Sequence, residues 1–203
     1  MGRFALVATS SEPVTVSQLR DHLRITTTEQ DTHLALILTA ATQAAEAHTK
    51  RALVRKQAKW YANDFPAGDI VFDDYNPVRA VSSISYKNTT GTATTLSTAD
   101  YNLDFHGETL RIYPAYSTSW PSVYDYSDAR DNVTITFTAG YGSTEGNQDS
   151  SGTVPERINA AIKIIAADLY ENRESVVVGT VVNRVNIPAS AEKLLDQEAV
   201  LRF

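Results

Sequence analysis

The chain has 203 residues, room for one large domain or two small ones and for a core that needs no covalent staples. It has no cysteine, which excludes disulfides, thiolate metal sites and a cysteine nucleophile. The net charge is −6, and the acid excess lies in residues 56–150, with 12 acidic and 6 basic side chains against 5 and 6 before and 7 and 6 after.

Such a field repels phosphate, so a sequence-specific DNA binder is not expected. No apolar run approaches the roughly 20 residues of a membrane-spanning helix. Met1-Gly2-Arg3-Phe4 lacks the apolar core and cleavage site of a secretory signal. A cytoplasmic chain without membrane contact is therefore expected. The sequons Asn88-Thr89-Thr90 and Asn132-Val133-Thr134 then carry no expectation of glycan.

In chain order, Thr15-Val16-Ser17-Gln18 reads as a capping box opening a short helix through Leu19 and Leu23. Thr28 with Asp31 can cap a second helix over 29–50. There Leu34, Ile37, Leu38, Ala41, Ala45 and His48 recur at helical spacing, and five alanines between 40 and 47 keep the helix slim. Lys50 and Arg51 suit the negative end of its dipole.

After about residue 55 the period changes. Ala58, Trp60 and Ala62 alternate with Lys59, Tyr61 and Asn63, which predicts a strand. Further strands are predicted at 70–72, 78–86, 101–105, 109–113 and 133–138. Turns separate them at Pro66-Ala67-Gly68, Asn88-Thr89-Thr90-Gly91, His106-Gly107 and Ala139-Gly140-Tyr141-Gly142. Short strands with no helix between them imply a mainly antiparallel sheet or small barrel. Residues 143–153, rich in Gly, Ser, Asn and Asp, read as a loop.

Pro155 then suits a first helical position. Ile158, Ile162, Ile165 and Leu169 form one stripe, whose burial is worth about 1.5–3 kcal/mol per side chain. Its natural partner is the Ala-rich helix. The fold class predicted is α+β: a small helical bundle formed by both ends of the chain (1–55 and 154–175), an inserted β domain (56–153), and an extended C-terminal arm with a short helix (176–203). The helical core or subunit wall would comprise Leu34, Leu38, Ala41, Ala45, Ile158, Ile162, Ile165 and Leu169.

Signals for catalysis are weak. The four histidines, His22, His33, His48 and His106, show no metal-ligand spacing. Asp125, Asp128 and Asp131, three apart, do not supply the alternating oxygens of a calcium loop. Asp73-Asp74 is unspecific, and no nucleophile elbow, Walker loop or dinucleotide fingerprint is present. No enzyme, cofactor or metal is expected. Tyr113, Tyr116, Trp120, Tyr124 and Tyr126 cluster around Pro114 and Pro121, as a contact surface or as rings tucked onto the sheet.

The segment 176–187 has high β propensity and little charge. It forms either a hairpin on its own domain or a strand added to a neighbour, where main-chain hydrogen bonds supply affinity. Ordering it costs about 1–2 kcal/mol per residue, so it needs an extensive dock.

These residues resemble the head–tail connector (adaptor) proteins of long-tailed bacteriophages over nearly the whole chain. The opening Val16-Ser17-Gln18-Leu19-Arg20-Asp21-His22-Leu23-Arg24-Ile25, Asp31 and the Ala-rich helix ending Thr49-Lys50-Arg51-Ala52-Leu53 resemble the family's first helix pair. Asn76-Pro77-Val78-Arg79-Ala80-Val81-Ser82-Ser83-Ile84 and Phe137-Thr138-Ala139-Gly140-Tyr141 resemble its β insertion. Val154-Pro155-Glu156-Arg157-Ile158 through Leu169-Tyr170-Glu171-Asn172-Arg173-Glu174, then Val176-Val177-Val178-Gly179, is the most specific piece. One departure is at the end. Related tails often close with two leucines and a Pro-aromatic-Arg group, whereas Leu194-Leu195 precedes Asp196-Gln197-Glu198, and Arg202 stands alone before Phe203.

The resemblance implies a virion structural protein in the neck, assembled in the host cytoplasm. It would form a homo-oligomeric ring of roughly twelve copies under the portal protein, held by heterologous contacts. The ring would extend the DNA channel, with no sequence-specific contact to DNA, and would offer a platform to a stopper or tail-completion protein. The portal-docking arm would comprise Val176, Val177, Val178, Val181, Val182, Val185, Ile187, Leu194, Leu195, Leu201, Arg202 and Phe203. Competing readings are another virion subunit, for tail completion or decoration, and a carbohydrate-binding or hydrolytic module on the β domain.

Overall fold

The computed structural model describes residues 3–9, 12–72, 76–106, 109–126, 130–142, 153–172 and 187–199. The chain divides into two compact units, residues 1–10 with 54–151 and residues 11–53 with 152–203, and it passes from one to the other three times.

The helical unit is built from α1 (Val16–Leu23), α2 (Asp31–Thr49), α3 (Glu156–Glu171) and α4 (Ala189–Asp196). The expected capping box is present: the Gln18 backbone N–H donates to the Thr15 hydroxyl, and the Thr15 N–H to the Gln18 side chain. The expected cap on α2 is not. Gln30 is the N-cap, with no side-chain hydrogen bond, and Asp31 pairs instead with Arg20 of α1 at 3.0 Å. α2 and α3 pack together through apolar faces, with α1 against both. The hydroxyls of Thr42 and Thr49 are buried in this core without penalty, because each donates to the carbonyl four residues back.

The β unit holds a five-stranded sheet, ordered β1 (Arg3–Thr9), β2 (Lys56–Ala62), β8 (Val133–Ala139), β4 (Val78–Lys87), β5 (Ala93–Thr95). A three-stranded sheet is ordered β3 (Ile70–Phe72), β7 (Thr109–Pro114), β6 (Tyr101–His106). Every pairing is antiparallel, as short strands without crossover helices require.

The central strand β8 alternates strictly, burying Val133, Ile135, Phe137 and Ala139. Its register sets Ile135 between Trp60 and Ile84, and Phe137 between Ala58 and Val81, so these side chains share one face. The two sheets meet through Phe72 of β3, whose ring lies 4.9 Å from Phe137 and 5.9 Å from Trp60.

The structure moves one boundary. The helical half expected to begin at residue 1 begins after residue 10, because β1 pairs with β2 from Arg3↔Tyr61 to Thr9↔Lys56. Nothing local marks this: β1 is an edge strand whose sole hydrogen-bonding partner lies some fifty residues on.

Candidate functional site

Seven of the eight side chains expected in the helical core are buried. Leu34, Leu38, Ala41 and Ala45 line α2, and Ile158, Ile162 and Ile165 line α3. Leu169 departs from the stripe and stays 41% exposed. The outward face of α2 is unusual in being uncharged. Leu36 is 69% exposed, and Ala40, Gln43 and Ala47 continue the same line at helical spacing.

The C-terminal helix α4 packs on α3 and α2 of its own chain, burying Ala191 and Leu195 completely. Leu195, expected on a docking arm, is therefore already occupied within its own unit. Polar contacts fasten the helix. His48 Nε2 lies 2.7 Å from Asp196. The Arg51 Nε–H donates to the Glu198 carbonyl, and Arg157 pairs with the Glu198 carboxylate at 3.2 Å. Arg51 had been expected to answer the dipole of its own helix. Lys50 instead takes the left-handed C-cap of α2, at φ +59°, and the turn sends Arg51 toward α4. Nothing in the sequence marks these pairings, which join residues roughly 40–150 positions apart.

Ile187 and Leu194 are half-buried. The remaining arm residues, Val176, Val177, Val178, Val181, Val182, Val185, Leu201, Arg202 and Phe203, lie outside the described residues. The expectation for residues 143–153 falls almost wholly outside them as well.

Among the described residues no group of three or more His, Cys, Asp or Glu side chains converges as metal ligands would. No helix of the described residues is long and apolar enough to cross a membrane. The aromatic cluster divides. Trp120 stacks on Phe65, 4.9 Å between centroids and nearly parallel, while Tyr124 lies 4.6 Å from Tyr126. Tyr116 is 99% exposed and Tyr126 63%. Some rings are tucked, and others are presented.

The surfaces are thus an uncharged helical face, a latched C-terminal helix and a ring-lined cleft. These suit recognition of other macromolecules. Residues 13–106 match the family of Phage gp6-like head-tail connector proteins, a stretch running from the capping box through both first helices to β6. The match takes in just under half of the chain and makes that stretch similar to this family.

The fold of the chain is also similar to chains in solved particles. One, from the neck of an empty GTA particle computed with C6 symmetry, has a TM-score of 0.75 and 24% identity, covering 99% of this chain and 97% of that one. Another comes from the virion of a native gene transfer agent (GTA) particle, with a TM-score of 0.73, 22% identity and coverage of 98% and 96%. A third, from the neck of a native GTA particle computed with C12 symmetry, has 0.71, 23%, and 98% and 97%. A search of curated proteins finds no match.

Proposed function

We propose that the chain is a head–tail connector that forms a closed ring in the neck of a phage or phage-like particle. There it sits under the portal, extends the DNA channel and seats the next neck or tail protein. The observation that carries this reading is the family match over residues 13–106 joined to whole-chain likeness to proteins of GTA necks. A ring of twelve is favoured because one of those necks was computed with C12 symmetry. Head-to-tail contacts that close by rotation give such a ring.

The helical unit supplies the wall between subunits. Its support is the uncharged outward line of Leu36, Ala40, Gln43 and Ala47, which a neighbouring helix can approach closely without burying a charge. The β unit carries 12 acidic and 8 basic side chains, and that excess suits a lumen through which DNA slides without sticking.

The segment 176–186 and residues 201–203 form the portal-docking arm, the valines adding as a strand to the portal. Leu195 belongs to the seat of α4 and anchors the root of that arm.

Electron microscopy of the full chain mixed with its portal tests the reading. The expected result is a coaxial ring at one face of the portal, and at a single vertex of intact particles. A chain that stays unassembled beside portal, or that decorates the shell at many positions, overturns it.

A further inference from the structure

The β unit carries a cleft of about 710 Å³, within the usual size range for ligand sites. Aromatic rings form much of it: Phe65 and Trp120 stacked together, with Tyr124 and Tyr126 alongside. Two exposed carboxylates, Asp64 and Asp125, also line it, and no lysine or arginine does.

Two of the side-chain N–H donors in the cleft are already engaged. Trp120 Nε1–H donates to the Gly68 carbonyl at 3.0 Å. The Asn132 amide nitrogen donates to the carbonyls of Asn63, at 3.0 Å, and Tyr124, at 2.7 Å. Facing two carbonyl oxygens, that amide can be oriented only one way. Its Oδ1 is consequently left without a hydrogen-bond partner, in a side chain only 2% exposed that lines the cleft. An orphaned buried acceptor is costly, and this one is shielded from the cleft.

The site therefore offers π faces and two exposed carboxylates, with no cationic side chain among its described lining residues. An anion would meet those carboxylates with no lysine or arginine to offset them. A guanidinium has five donors and no acceptor, is planar, and stacks on aromatic rings. We propose that this cleft receives an arginine side chain presented by an extended segment of a neighbouring polypeptide. The guanidinium lies along the Trp120 and Tyr126 rings and pairs with Asp64 and Asp125.

Titration of the full-length chain with the capped tripeptide acetyl-Gly-Arg-Gly-amide, read by tryptophan fluorescence and calorimetry, tests this. Saturable binding is expected, weakening with salt. The same peptide with citrulline, neutral and nearly isosteric, should bind about tenfold more weakly. The variant D64N/D125N should lose a similar factor while keeping its urea midpoint, since asparagine can still accept the Phe65 N–H that Asp64 Oδ1 accepts at 2.7 Å. Equal binding of the arginine and citrulline peptides overturns the proposal. So does no saturation at millimolar peptide, or a neutral oligosaccharide filling the cleft where the arginine peptide does not.

Discussion

Gly140 shows how a single residue can be fixed by its surroundings. Its φ is +103°, and a Cβ there would lie 2.2 Å from the Val54 carbonyl oxygen, a contact no real side chain makes. Its N–H donates to the Pro77 carbonyl and its carbonyl accepts from Arg79 Nε, so it cannot simply move aside. Gly140→Ala should cost the β unit about 3 kcal/mol. Both tryptophans, Trp60 and Trp120, lie in that unit, so the fluorescence-detected urea midpoint reads this loss separately from the helices. Tyr101 makes a second case. Burial holds its phenol above the usual value of about 10, so the neutral form is the one the fold favours. Its contribution is complete below that ordinary value and fades as pH rises through the higher folded one. Alkaline urea titrations should show the wild type losing stability more steeply than Tyr101→Phe.

At the scale of elements, α4 is the informative case. From sequence it belongs to a docking arm; in the fold it is the fourth helix of its unit, with Leu195 fully buried. Leu195→Ala should cost about 2–5 kcal/mol through the cavity it leaves. Arg51→Met should cost about 1.5–3 kcal/mol, because the Glu198 carbonyl loses a charged donor. Hydrogen exchange in residues 189–196 should rise in both variants, and the tryptophan signal should stay unchanged. Truncation after Glu174 is consequently a poor test of docking, because it strips α4 from α2 and α3 and weakens the helical unit. Replacing the valines of 176–185 with serine keeps α4 in place. That variant should lose portal capture in a pull-down with the helical content of the wild type.

At the scale of the whole molecule, the proposed ring turns on the bare face of α2. Leu36→Glu changes a side chain 69% exposed, so the isolated subunit should keep its stability within about 0.5 kcal/mol. A buried carboxylate between neighbours should abolish the ring, seen as a shift from oligomer to monomer in analytical ultracentrifugation with portal present.

The helices and six of the eight strands were legible in the chain itself; β1 and the short β5 were not. Capping at Thr15, the stripe of Ile158, Ile162 and Ile165, and the alternation at Ala58 and Trp60 are local signals with a 3.6- or 2-residue period. The likeness to head–tail connectors was legible too, through the order of the motifs, and residues 13–106 match that family. Where β1 pairs, where Arg51 reaches, how α4 is seated and why Asn132 lacks a donor were decided only in three dimensions. Each depends on a partner distant in the chain, and local periodicity carries no information about which distant residue will meet it.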